Sequence, residues 1–249
     1  MSQFALKLLA LFTMLADHAA KILISQGALT PWLGMELNNF VYTILVVIGR
    51  MAFPIFAWFV AEGCRKTNHP MRYLGRLAIF AVFSEMPFQL CFYQSLEFGC
   101  HNVLFTLLLA AGAILGARAL QQCHIPAPLP QILTAVIAIA LGWVLRTDYN
   151  AWGVALILGL YYMPTERGQL LWLGVWITLF QLVWHGWNGK AFLWLTEDMS
   201  VLVLQWIGAM FSVAFLATYR GERGRGWKWL FYVFYPVHLL LLYGAAQLL

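Results

Sequence analysis

The chain has 249 residues, 62% of them hydrophobic and 10% charged, and its mean hydropathy is +0.76. That balance excludes a soluble globular domain and a nucleic-acid-binding module, because too few polar residues remain to cover a water-facing surface. A net charge of +5 and an aromatic content of 16% suit an integral membrane protein whose helices meet two lipid and water interfaces.

Breaks at polar, glycine or proline positions divide the sequence into about nine apolar segments, each measured against the ~20 residues a helix needs to cross a bilayer. They centre near Met14, Arg50, Val82, Leu109, Ile137, Ile157, Trp176, Ala209 and Leu239. The expectation is an all-α, polytopic membrane protein with about nine transmembrane helices, forming a single domain over residues 1–249. In that arrangement Lys7, Arg65, Lys66, Arg72, Arg76, Arg118, Arg167, Arg220, Arg223, Arg225 and Lys228 fall on one side. The other side holds Arg146 and Lys190 among the acids Glu36, Glu97, Asp148, Glu197 and Asp198. The positive-inside rule then predicts an N-in, C-out orientation.

The first segment, FTMLADHAAKI over residues 12–22, sets Asp17 and His18 side by side in apolar surroundings. Each costs on the order of 2–3 kcal/mol in hydrocarbon, so something must offset it. Lys21, four residues on, shares a helical face with Asp17 and suits an intrahelical pair. These charges also argue against a signal peptide. The second segment, inward from about Phe40, carries Arg50 and Pro54, and at its inner end Glu62 lies beside Arg65 and Lys66 as a solvated pair. The third runs outward from about Tyr73 with Glu85 and Pro87. Cys91 and Cys100 flank the loop that follows and are either a small disulfide or free thiols. Pro126, Pro128 and Pro130 mark a stiff loop, and the sixth segment, NAWGVALILGLYYM, is the shortest. His101 and His185 read as interfacial. The last segment, from about Trp227, contains Tyr235, Pro236 and His238.

A rise of about 1.5 Å per residue brings Asp17, His18, Arg50, Glu85 and His238 to a similar depth on four helices. Arg50 and Glu85 suit a bridge between the second and third helices, and His238 is either a hydrogen-bonded core histidine or a reactive one. Pro54, Pro87 and Pro236 each remove a helical donor, freeing the carbonyls of Arg50, Phe83 and Tyr232, which is tolerated where the backbone lines an enclosed cavity. A cavity of two histidines, two carboxylates and an arginine is either an active site or a proton path. On the cytoplasmic side, CRKTNHPMRYLGR offers Arg65, Lys66, Arg72 and Arg76 at a helix start, a phosphate site or a topology and anionic-lipid signal. The cysteines do not form a metal site.

LFTMLADHAAKI, IGRMAFPIFAWFVAEG, RKTNHPMRYLGRL, FSEMPFQL, HNVLFTL, DYNAWGVALIL and FYVFYPVHLLLL together resemble the TraX family of bacterial membrane proteins, named for a conjugal-transfer protein that acetylates the N-terminus of pilin. The second-span motif is similar to the corresponding helix of heparan-alpha-glucosaminide N-acetyltransferase and its bacterial relatives. The resemblance implies acyl transfer across a bacterial inner membrane. Acetyl-CoA or another acyl-CoA, with no metal, approaches from the cytoplasm. An amine or hydroxyl acceptor on the outer side, a small molecule, glycan or protein N-terminus, receives the acyl group. The positions it marks are Asp17, His18, Arg50, Glu85, Asn102, Tyr235 and His238. Acyl transfer needs a base and oxyanion donors, roles that suit His18, with Asp17 or Glu85 fixing its tautomer and His238 as second choice of base, and Arg50, Asn102 or Tyr235. Arg65 to Arg76 would hold the CoA phosphates. A proton-coupled transporter is the alternative, and a structural partner in pilus or secretion assembly a third reading.

Overall fold

The computed structural model describes residues 1–25, 30–96, 98–181, 199–224 and 226–248. Among them lie eleven α-helices, a π-helical turn and one isolated pairing of His101 with Thr147, so the all-α expectation holds. His185, Lys190, Glu97, Glu197, Asp198 and Arg225 lie outside the described residues. The chain divides into two compact units, Met1–Phe56 with Leu173–Leu249, and Ala57–Trp172.

In the first unit α1 (Gln3–Ala19) starts at Ser2, whose hydroxyl accepts the Ala5 N–H at 3.3 Å and satisfies one of the helix's orphan donors. A π-helical turn, Ala20–Ile24, continues it, and the Ser25 N–H reaches the Ala20 carbonyl at 2.9 Å, five residues back. After the short α2 (Thr30–Leu33), α3 (Met35–Gly49) packs against α1 and against α10 (Met199–Ala217), while α1 also packs on α11 (Lys228–Leu248). The Gln3 N–H donates to the Glu222 carbonyl at 2.8 Å, and the Phe4 ring meets Trp227 and Phe231 edge-on at 6.1 and 6.0 Å, which pins the start of α1 to the start of α11.

The second apolar segment departs from expectation. It begins at Met35 and breaks at Arg50–Met51 into α3 and α4 (Ala52–Lys66), which together form one apolar run of 32 residues. At about 1.5 Å per residue such a run exceeds a hydrocarbon layer of about 30 Å. Pro54 is the third residue of α4, where an N–H has no intrahelical acceptor to lose. It therefore suits a helix start and orphans no mid-helix carbonyl at Arg50. Pro87 and Pro236 do lie inside their helices.

α10 meets α3 through Gly208, where a Cβ would stand 2.2 Å from the Val47 carbonyl oxygen. Gly208→Ala is expected to destabilise the protein by about 1–3 kcal/mol, because backbone cannot yield as a side chain does. A lowered melting temperature in detergent is the readout.

The second unit holds the rest of α4, then α5 (Pro70–Phe92), α6 (Val103–Gln122), α7 (Leu129–Val144), α8 (Asn150–Tyr162) and the start of α9 (Glu166–Leu179). Pro70 opens α5, its fixed φ matching the first helical position. α6 packs on α5, α7 and α8 over buried Ala110, Ala111, Ile114, Leu156 and Ile157. Five helical runs are long and apolar enough to cross a membrane, namely Met35–Lys66, Pro70–Phe92, Val103–Gln122, Ser200–Ala217 and Trp229–Leu248. α7 and α8 are shorter apolar helices. Exposed Ile79, Val82, Phe83 and Met86 on α5, and Leu240 and Leu241 on α11, give an exterior suited to lipid, so the protein is a multi-pass membrane protein. None of the four cysteines is in a disulfide among the described residues, Cys64 and Cys91 being buried, Cys100 half-buried and Cys123 exposed.

Candidate functional site

Adjacent helical residues point about 100° apart, and the last turn of α1 uses that divergence to serve two neighbours. Asp17 turns to α3. Its side chain lies against Gly49, where a Cβ would stand 2.3 Å from that of Asp17. Oδ2 accepts Lys21 Nζ at 2.6 Å, the pair that the four-residue spacing predicts. Oδ1 is buried and has no hydrogen-bond partner among the described residues. Arg50, next after Gly49, lies within electrostatic reach of Asp17, and its Nε is likewise buried and unpartnered.

His18 turns to α11. Its Nδ1 lies 2.6 Å from Nε2 of His238, with the two rings nearly parallel and their centroids 4.9 Å apart. Nδ1 of His238 lies 2.7 Å from the Phe234 carbonyl oxygen one turn back. Tyr235, buried, sets its ring edgewise to both imidazoles at 6.1 and 5.6 Å. The first unit thus brings together Asp17, His18, Arg50, Tyr235 and His238, with Lys21 as an added member.

Glu85 belongs to the other unit, and its partners are not the expected arginine. Oε1 takes His101 Nδ1 at 2.9 Å and Gln89 Nε2 at 2.9 Å, while Oε2 takes the Asn102 backbone N–H at 3.2 Å and its Nδ2 at 2.5 Å. Asn102 is as fully used. Its Oδ1 caps α6 at the Leu104 N–H, 3.0 Å away, and Nδ2 also reaches the Ala81 carbonyl at 2.9 Å. From there the loop ties to the one before α8, since the His101 N–H donates to the Arg146 carbonyl at 3.2 Å and the Asp148 N–H to the His101 carbonyl at 2.8 Å. This network makes Glu85 and Asn102 a clasp. His101 is a member of it, not a free interfacial residue, and the four-residue spacing of Glu85 and Gln89 is the signal that sequence reasoning passed over.

The basic segment is divided in its duties. The Arg65 guanidinium donates to the Leu160 carbonyl and, at 2.9 Å, to that of Tyr161, closing the end of α8, and it lies 5.3 Å from the Tyr161 ring. Lys66 pairs with Glu62 at 2.6 Å, and Glu62 is buried, not solvated as expected. Arg76 stacks over Tyr73 at 6.0 Å, and Arg72 is exposed near the start of α5. Arg65→Ala is expected to cost about 1–3 kcal/mol of stability by leaving the α8 carbonyls without donors, which a thermal melt of the purified protein reads directly.

A helical, multi-pass membrane protein with a histidine pair, His238 buried and His18 half-buried, beside a carboxylate and two cations is the class these features define. Within it the chain belongs to the TraX family, whose model, described as TraX protein, matches residues 2–246. A relative from Dichelobacter nodosus, described as probable fimbrial assembly protein FimC, serogroup H1, is 30% identical over 262 aligned residues covering all of this chain and 97% of that one. No solved structure matches.

Proposed function

We propose that this protein is a membrane acyltransferase that moves an acyl group, acetyl in the simplest case, from cytoplasmic acyl-CoA to an amine or hydroxyl at the outer side of a bacterial inner membrane. The observation that carries the reading is the imidazole pair of His18 and His238 inside apolar helices, beside Asp17, Lys21 and Arg50. A buried polar group in such a place is a functional one by default. Family membership and the fimbrial assembly relative support a fimbrial or pilin N-terminus as one acceptor.

In the reaction the acceptor nitrogen or oxygen bonds to the thioester carbonyl carbon and gives its proton to His18. The C–S bond then breaks, and the CoA thiolate leaves with that proton. Arg50 faces the oxyanion that develops on the carbonyl oxygen, and the Tyr235 ring packs the site. Arg72 and Arg76 are the cations left to meet CoA phosphates, Arg65 and Lys66 being engaged by α8 and Glu62. No metal takes part.

The test is binding of acetyl-CoA to detergent-purified protein with free CoA release followed over time. Binding lost in an Arg72→Ala, Arg76→Ala variant, and release lost in His18→Ala with binding intact, is the expected result. No binding by any form would replace this reading with a proton-coupled transporter in which the same buried groups relay protons.

Nine spans with the N-terminus inside complete the proposal, putting Cys100 outside and Cys123 inside. Burial pushes the Cys100 thiol up, Tyr93 opposing by hydrogen bonding to it and the carboxylates of Asp148 and Glu85 adding to the rise. The thiolate is the nucleophile, so its labelling continues to quicken above the pH at which an ordinary thiol levels off. A membrane-impermeant maleimide on intact cells is expected to label Cys100, faster at higher pH, and to spare the more exposed Cys123 until the membrane is opened. Labelling of Cys123 in intact cells would reverse the orientation.

A further inference from the structure

We infer that His238 is a positioning residue that fixes the tautomer of His18 and leaves Nε2 of His18 as the reacting nitrogen. The functional half of this inference rests on the acyltransferase reading above; the tautomer half stands on geometry alone.

The sequence of protons is set from a peptide carbonyl outward. A carbonyl oxygen only accepts, so the 2.7 Å contact to Phe234 places the proton of His238 on Nδ1. In a neutral imidazole the other nitrogen then carries the lone pair, so Nε2 of His238 accepts across the 2.6 Å contact and His18 donates from Nδ1. What remains on His18 is the lone pair of Nε2. The neutral form follows from the charges beside the pair: Lys21, on the turn after α1, acts on His18, and Lys21 and Arg50, at the end of α3, already stand against one carboxylate, Asp17. A further cation in that buried place would be costly. Among the described residues Tyr235 also meets both rings, edge-on.

This arrangement corrects the expectation that Asp17 or Glu85 would orient the base. Asp17 is turned to Lys21 and Gly49, and both oxygens of Glu85 are occupied by its own loop. During transfer the acceptor proton binds Nε2 of His18. The positive charge that forms is shared through Nδ1–H with the lone pair of His238, whose own Nδ1–H stays on the Phe234 carbonyl. No second proton moves. Nε2 then releases its proton to the departing thiolate, and the pair returns to its starting state.

Three substitutions at His238 separate this role from mere packing. Gln sets its amide oxygen where Nε2 stood and preserves the acceptor for His18. Asn sets its amide nearer Nδ1, preserving only the Phe234 contact, and Phe preserves only the shape. The probe is ¹⁵N-histidine NMR of the full-length protein in lipid nanodiscs, the His18 signal being assigned by its loss in His18→Ala, alongside acetyl-CoA turnover. Wild type and His238→Gln are expected to show His18 protonated on Nδ1, with kcat of His238→Gln within about tenfold of wild type. His238→Asn and His238→Phe are expected to move that proton to Nε2 and to lower kcat about 100-fold or more while KM for acetyl-CoA stays level.

A wild-type His18 protonated on Nε2 overturns the inference, and this spectrum needs no variant to fold. So does a His238→Phe protein whose His18 tautomer and kcat match wild type. Tautomers that respond as described in a protein that never turns over acetyl-CoA would sustain the assignment and defeat the acyltransferase reading instead.

Discussion

Glu85→Ala is expected to destabilise the protein by about 3–5 kcal/mol while leaving the chemistry of any folded remainder intact. The carboxylate receives four donors, from Gln89, His101 and two groups of Asn102. Deleting it takes an acceptor from each of them in a place where Asn102 and Gln89 have no exposure, although Asn102 Nδ2 keeps Ala81 and Gln89 Nε2 the Cys100 carbonyl. Glu85→Gln is not a conservative repair. Its amide nitrogen would confront two N–H donors wherever it is placed, so about half the loss should remain. Melting temperature in detergent and turnover per folded molecule, taken together, check both. A stable Glu85→Ala protein with kcat reduced would return Glu85 to the chemistry, where its depth in the sequence first placed it.

Gly49→Ala, like Gly208→Ala, should be among the most damaging single methyl groups in the first unit. The added carbon would lie 2.3 Å from the Asp17 Cβ and 3.0 Å from its Cα, so α1 and α3 must part. A cost of about 1–3 kcal/mol is typical of overpacking, and a contact onto backbone belongs at the upper end. Function should fall further than stability, because parting these helices shifts Asp17 and the neighbouring His18. Asp17→Gly added to Gly49→Ala removes the colliding carbon. A double-mutant cycle on melting temperature is expected to recover most of the stability but not the activity, and additive losses would show that the clash is relieved elsewhere.

Depth was legible in this sequence, and rotation about the helix axis was not. A constant rise per residue suffices to predict that His18 and His238 share a level, and they touch. Spacing by four found the Asp17 and Lys21 pair as well. Glu85 shows the limit. A carboxylate at membrane depth reads the same whether an arginine or a set of amides stabilises it. Its partners other than Gln89 come from an irregular loop, tied to another in which Arg146, Tyr149 and Asn150 adopt positive φ, a conformation no hydrophobic periodicity announces. Arg65 shows a related limit, since a cation beside other cations suggests an anion site, and only the fold reveals that carbonyls at the end of α8 also take its donors.

The two imidazoles that meet in the first unit stand 220 residues apart in the chain. At about 5–20 residues per second, roughly ten to forty seconds of synthesis separate the emergence of one from the other. Through that interval an inserted first helix carries an imidazole with no imidazole to bond. Synthesis of α11 thus sets when the pair can form, so that ribosomes stalled short of it leave fragments without the pair in the membrane.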